Sequence, residues 1–207
     1  MVDAYLLLGR HPVIVDAGTP GSGQLIYDRV VAHGVDPKDV RLVVVTHGPV
    51  DHFGSAAELS RLTGAPIAGH IADLGIYRAG GVSEPYLPIG LFGRLFVRTS
   101  RARETTEPFE PNVLIRGETR SADFGIEARI MPTPGHTAGS VSVLTDTGDL
   151  VAGDLVAIRC WASSRGVPAI RPSTTIGSAT WRACAKCWPS APPSSTSATA
   201  RLSTPNG

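Results

Sequence analysis

The sequence predicts a layered α/β fold, and three observations predict it. Strand-like and helix-like stretches alternate from residue 4 to residue 154, the pattern that lays helices against the faces of sheets. Leu42-Val43-Val44-Val45 is an unbroken apolar run, which reads as a strand covered on both faces. The first two helix-like stretches each stop at a glycine, Gly34 and Gly64, the residue that ends helices in a left-handed conformation.

Taken in order, residues 4–9 and 12–16 read as two short strands joined at Gly9-Arg10-His11. Gly18-Thr19-Pro20-Gly21-Ser22-Gly23 is a glycine-rich turn. No Gly-Lys-Ser/Thr follows it, so it does not read as a phosphate loop. Ser22 is the expected N-cap of a helix to about Ala32, with Leu25, Ile26, Arg29 and Val30 spaced for one buried face. The central strand then breaks off at Thr46. A helix over roughly Ser55–Leu62 and a strand at Pro66-Ile67-Ala68 lead to His70. Residues 80–111 carry Leu87, Ile89, Leu91, Phe92, Leu95 and Phe96 among Gly, Pro and Arg with no clear period. That stretch reads equally as a lid over a site or as a surface helix packed on the body. Strand signals return at Val113–Ile115, Ile126–Met131 and Val141–Leu144, followed by a turn at Asp146–Asp149 and the segment Leu150–Asp154.

With 207 residues and 42% hydrophobic content, the chain can bury a sizeable core. It contains no apolar stretch of the ~18 residues that a membrane span needs. A formal net charge of +1 points to neither a nucleic-acid nor a membrane partner. Met1-Val2-Asp3-Ala4-Tyr5 lacks the order of a signal peptide, so a cytoplasmic location is expected. The average hides a split. Residues 1–154 carry 13 Lys and Arg against all 18 acids, whereas residues 155–207 carry 6 Lys and Arg and none. Every cysteine (Cys160, Cys184, Cys187) and every tryptophan (Trp161, Trp181, Trp188) is also in the second part. The expected division is a folded domain over 1–157 and an irregular tail over 158–207.

The chemistry sits where the central strand ends, in Thr46-His47-Gly48-Pro49-Val50-Asp51-His52. A strand held on both faces fixes the groups just past its end, and His and Asp are ligands of zinc and similar ions. His47-x-x-x-Asp51-His52 resembles the His-x-His-x-Asp-His signature of the metallo-β-lactamase superfamily, with Pro49 in the second histidine position. Pro132-Thr133-Pro134-Gly135-His136-Thr137-Ala138-Gly139-Ser140 resembles that family's Pro-Gly-His-Thr-x-Gly-Ser turn, and Leu150-Val151-Ala152-Gly153-Asp154 its bridging-aspartate segment. The three motifs occur in the family's order. Asp16-Ala17-Gly18 is similar to the Asp-Thr-Gly turn that buttresses the metal loop, which makes Asp16 structural. His70 stands where the family has a histidine that does not bind metal, and His11 and His33 read as surface residues.

The resemblance implies a metallo-β-lactamase-like αβ/βα sandwich, incomplete at its C-terminus. It implies a first zinc site from His47, His136 and Asp154, and a second from Asp51, His52 and Asp154, with Asp51 orienting the attacking water. The activity implied is hydrolysis of a small ester, thioester or lactone, of the glyoxalase II and lactonase type. The competing reading is an inactive or misread copy, because each implied site is one ligand short. Proline cannot replace the second histidine, and no histidine follows His136 to serve as the last ligand. Reduced metal occupancy is therefore expected.

The tail suggests why. Cys184-Ala185-Lys186-Cys187 supplies at most half a zinc site, and Ser190–Ala200 has the composition of a disordered segment. Joining the third base of each codon to the first two of the next, the codons of Ser195 to Ala200 allow His-Val-Gly-His-Gly. Those of Val167 to Ile176 allow Pro-Gly-Asn-Pro-Pro-Phe-His-Asp-Asp. Both strings resemble the family's missing loop and terminal ligand. A break in the reading frame near residues 157–160 would produce this tail, and sequencing the coding DNA across that point tests it.

Overall fold

The computed structural model describes residues 3–81, 104–120, 122–124, 127–154 and 198–203. Two sheets form its frame. The larger has strand order β10-β1-β2-β3-β4-β5, built from β1 (Asp3–Leu8), β2 (Val13–Val15), β3 (Leu42–Val44), β4 (Ile67–His70), β5 (Val113–Ile115) and β10 (Ala198–Ser203). From β2 to β5 the pairing is parallel, while β1 runs antiparallel to both β2 and β10. The smaller sheet, β6 (Thr119–Arg120), β7 (Ala128–Pro132), β8 (Val141–Thr145) and β9 (Leu150–Val151), is antiparallel throughout. Only the first sheet is therefore mixed. Parallel neighbours need a crossover, and α1 (Gly23–Ala32) and α3 (Ala56–Thr63) supply those after β2 and β3. Two shorter α-helices, α2 (Val50–Phe53) and α4 (Leu74–Ala79), and 3-10 turns at Pro37–Asp39, Ile71–Asp73 and Ala122–Phe124 complete the described part.

The unbroken apolar run of β3 has a direct explanation. Alternate strand residues face opposite sides, and both sides of β3 are covered. Val43 and Val45 join Leu6, Ile14, Ile26, Val30, Phe53, Leu59 and Tyr77 in a core that includes residues of α1, α2, α3 and α4. Leu42 and Val44 join Val13, Val15, Ile115, Ile130, Val141, Val143 and Val151 in a second core that unites the two sheets. Each fully buried aliphatic or Phe side chain contributes about 1.5–3 kcal/mol, so β3 is a firmly anchored strand on which to mount a site.

Some local expectations change. Ser22 occupies the N-cap position of α1, but its side chain makes no capping bond. Glu58 of α3 accepts from the Gly23 N–H at 3.1 Å instead, which ties the two helices together. Arg29 of the expected buried face is exposed, while Ile26 and Val30 are fully buried. A cationic head on that flank has water within reach, so only the aliphatic positions pack.

Within the part expected to be an irregular tail, residues 198–203 form a strand paired along the whole of β1, from Asp3↔Ser203 to Leu8↔Ala198. The irregular reading fails for those six residues. Unpaired N–H and C=O groups along β1 recruit whatever extended segment can pair with them. The cysteines and tryptophans of the second part and most of the 80–111 segment lie outside the described residues. The described end of that segment, Glu104–Pro111, packs Phe109 against Tyr77 and Phe53. Among the described residues, no helix is long and apolar enough to cross a membrane.

Candidate metal centre

The site lies where strand ends of both sheets meet. Asp16 follows β2, Thr46 and His47 follow β3, His136 lies in the turn between β7 and β8, and Asp154 follows β9. The two sheets are laced together at this end, where the Val141 N–H donates to the Thr46 carbonyl at 2.8 Å. This junction brings sequence-distant groups together. His47, His136 and Asp154 each offer a ligand atom, and these atoms lie within 4.8 Å of one another. The His47 and His136 Nε2 atoms stand 3.8 and 3.9 Å from Asp154 Oδ2. The other oxygen of Asp154 faces His52, with Nε2 to Oδ1 at 3.5 Å.

Hydrogen bonding sets the state of His47. The Thr46 hydroxyl donates to Asp16 Oδ2 at 2.9 Å, so its oxygen is left to accept from His47 Nδ1 at 2.8 Å. The ring proton is then on Nδ1 and the Nε2 lone pair is free. Nε2 is buried and has no hydrogen-bond partner among the described residues. Burial, together with the charge of His52, lowers the His47 pKa to about 4, so the ring is neutral at pH 7. A neutral imidazole with an unengaged, buried lone pair aimed at a second imidazole and a carboxylate fits a divalent metal ion. Two nitrogens and one oxygen are the donor set that zinc accepts at catalytic sites, with a position left open.

His52 behaves differently. Burial alone would lower its pKa, but Asp16 and Asp154 on either side reverse this and raise it to about 10. Its Nδ1 donates to Asp16 Oδ2 at 2.8 Å. Asp154, with His52 beside it, is lowered to about 2. Without metal, a charged imidazolium is therefore held between two carboxylates.

Of the five residues expected to bind metal, His47, His136 and Asp154 form the compact group, and His52 adjoins it through Asp154. Asp51 is not brought into that group. It precedes His52 in the single turn of α2, and consecutive helical residues point about 100° apart, so the turn that buries His52 carries Asp51 elsewhere. Pro49 is the N-cap residue of α2, and its carbonyl accepts from the His52 N–H at 3.0 Å. His70 stays outside the centre. Its Nδ1 accepts from the Ala72 N–H at 3.2 Å.

Sequence reasoning missed two residues that shape the centre. Gly153 has φ +54°, and a Cβ there would come within 2.8 Å of Thr46 Oγ1 and 3.3 Å of His47 Nδ1. Asp73 reaches the His136 turn from the other half of the chain. A glycine directly before the aspartate was the available signal for the first. Nothing local signalled the second.

The sequence profile of the Metallo-beta-lactamase superfamily matches residues 1–195. The chain belongs to this superfamily. It is 31% identical over 151 residues to a hydroxyacylglutathione hydrolase of Anaeromyxobacter dehalogenans, covering 72% of this chain and 44% of that protein. It is 26% identical over 154 residues to a probable metallo-hydrolase of Methanocaldococcus jannaschii, covering 74% and 66%. The chain thus spans less than two thirds of either relative. Among solved structures, it is similar to the class B3 di-zinc metallo-β-lactamase LRA-12 from an Alaskan soil metagenome. There the identity is 27% and the TM-score 0.55, over 71% of this chain and 52% of that one. The native FEZ-1 metallo-β-lactamase of Legionella gormanii, at 16% identity and TM-score 0.61, covers 81% of this chain and 63% of its own and shares the fold. The αβ/βα architecture and membership of a family of metal-dependent hydrolases follow from these matches.

Proposed function

We propose that the chain hydrolyses a small ester, thioester or lactone with a divalent ion, zinc by its donor set, held by His47, His136 and Asp154. The observation that carries this reading is the buried, unpartnered Nε2 of neutral His47 facing His136 and Asp154. When bound, the ion polarises the substrate carbonyl and makes water a competent nucleophile near neutral pH. His47 is presented in the correct tautomer by Thr46 and Asp16. Asp154 supplies Oδ2 to this group and Oδ1 to His52, so it serves both halves of the centre. His52 keeps Asp154 oriented. A thioester is the first substrate class to test, because one relative is a hydroxyacylglutathione hydrolase. The protein is proposed to work in the cytoplasm on a small molecule.

Pro49, together with the absence of any histidine after His136, supports the second reading, a copy with weak metal binding and little or no turnover. Elemental analysis of the purified protein, followed by assays on an ester, lactone and hydroxyacylglutathione panel, separates the two. Close to one bound ion and hydrolysis that chelation abolishes and zinc restores support the first reading. Protein with neither supports the second.

A further inference from the structure

Asp73 ends the 3-10 turn Ile71–Asp73 and occupies the N-cap position of α4, yet its side chain caps nothing there. It is 1% exposed. Both of its oxygens cross to the other half of the chain. Oδ2 accepts from the Thr137 hydroxyl at 2.7 Å, and Oδ1 accepts from the Gly139 N–H at 2.9 Å. Both donors lie within the turn that carries His136, just after the histidine. Gly139 lies so close to the carboxylate that any Cβ there would collide with it. The same Oδ2 also faces the His47 loop, where a Cβ added at Gly48 would stand 3.2 Å from it. A buried carboxylate whose two acceptors serve the turn of one ligand, while its body abuts the loop of another, is placed to set the distance between them.

We infer that Asp73 is a positioning residue that holds the His136 turn against the His47 loop, and that it thereby sets the affinity and geometry of metal binding. It touches no ligand atom itself. The remaining bonds of the turn are internal or local. The Thr137 N–H donates to Ser140 Oγ at 3.0 Å, and the Thr133 N–H donates to the Ser140 carbonyl at 2.8 Å. They give the turn its shape, while the Val141 N–H bond to the Thr46 carbonyl anchors its C-terminal foot beside His47. Asp73 adds the tie that reaches Thr137 and Gly139, so removing it leaves a folded turn held at that foot, with His136 freer to move. Hydrogen-bonded partners behind metal ligands carry about 10- to 100-fold of metal affinity.

The inference rests on the metal-binding reading above, and the test keeps the two apart. Cobalt(II) is titrated into chelator-stripped wild type, Asp73→Ala and Asp73→Asn, reading affinity and the visible absorption of the bound ion. Amide hydrogen exchange at Gly139 is measured on the metal-free proteins. Asp73→Ala is expected to lose about 10- to 100-fold in cobalt affinity, to shift the cobalt spectrum and to lose exchange protection at Gly139. Asp73→Asn keeps an acceptor for the Gly139 N–H while the Thr137 hydroxyl turns to accept from the amide, so it recovers most of both. Should Asp73→Ala fail to fold, Thr137→Val against Thr137→Ser takes its place, with only the valine expected to weaken cobalt binding. Folded Asp73→Ala with wild-type affinity, spectrum and Gly139 protection overturns the inference while leaving metal binding standing. Wild type that takes up no cobalt overturns the metal reading and with it the claim on affinity, while Gly139 exchange still decides whether Asp73 holds the turn.

Discussion

Asp16 receives the His52 ring and the Thr46 hydroxyl on the same oxygen, Oδ2, at 2.8 and 2.9 Å. Its other oxygen takes the Thr46 N–H at 2.8 Å. One buried carboxylate thus fixes both the end of β3 that carries His47 and the ring of His52. The backbone there is left-handed, φ +64°, a region Asp enters more readily than most residues.

Replacing Asp16 with Asn keeps the backbone tolerance and one acceptor but puts an amide where two donors converge. Metal-free His52 is charged at pH 7, with its pKa raised to about 10, so the change strips a buried imidazolium of its nearest counter-charge. The expected loss is about 3 kcal/mol, read as a lower urea midpoint with an unchanged slope in metal-free protein. A loss below about 1 kcal/mol, the net worth of an ordinary hydrogen bond, would mean that Asp16 does not hold the charged ring.

Gly153→Ala and Gly64→Ala form a matched pair. Both positions have positive φ, +54° and +85°, but only at Gly153 would a Cβ approach neighbours, Thr46 and His47. Gly64→Ala should cost about 1–2 kcal/mol from the backbone alone and leave metal binding unchanged. Gly153→Ala should cost more and also reduce metal content, because relieving the contact moves either Asp154 or the Thr46–His47 bond. Thermal melts and elemental analysis of the two variants check this, and equal effects would discount the contact.

How far the fold could be read from residues depended on range. β3 was legible because a strand buried on both faces has no polar alternation, and the ends of α1 and α3 because Gly34 and Gly64 mark them. His136 was legible because Pro134-Gly135 advertises irregular backbone beside it, and Asp154 because Leu150–Asp154 resembles the family's bridging-aspartate segment. Asp73 was not, since its partners Thr137 and Gly139 lie 64 and 66 residues away and an Asp before a short helix looks like an ordinary cap. The separation of Asp51 from the compact group was equally hidden. It depends on the one-turn helix α2, which is too short to leave a periodic pattern. The strand β10, Ala198–Ser203, does alternate small or apolar with polar residues, but two of its three apolar positions are alanine, a residue depleted in strands, so its composition hid it, and its pairing with β1 follows an available edge.

Tyr77 is fully buried, stacked on Phe109 with ring centroids 5.3 Å apart and edge-on to Phe53 at 5.4 Å. Its hydroxyl has no hydrogen-bond partner among the described residues. Burial, with the charges of Asp73 and Asp16, pushes its pKa well up, so the group is a neutral donor left unsatisfied. Tyr77→Phe keeps the ring contacts and removes the desolvated hydroxyl. Stability should rise by about 1 kcal/mol or stay level. A fall of more than about 1 kcal/mol in urea unfolding would mean that the hydroxyl has a partner.

Pro49→His tests the metal centre most directly. Pro49 is buried at φ −64° and ψ 139°, angles open to any residue, and the carbonyl that accepts from the His52 N–H is kept. The substitution should therefore fold. It places a third imidazole in the loop of His47, and the first site should gain about 10- to 100-fold in affinity, at least what a supporting partner is worth. Occupancy should rise toward one ion per chain. Restoring the tail reading frame alone should strengthen the second site, on the His52 side of Asp154, by returning a terminal histidine. Asp154 faces His47 and His136 with Oδ2 and His52 with Oδ1, so an ion on either side orients the carboxylate for the other. The double repair should then exceed the sum of the single ones in metal content and in hydrolysis of a hydroxyacylglutathione. If the unaltered chain already holds two tightly bound ions, Pro49 is no defect, and residues other than these five supply the missing ligands.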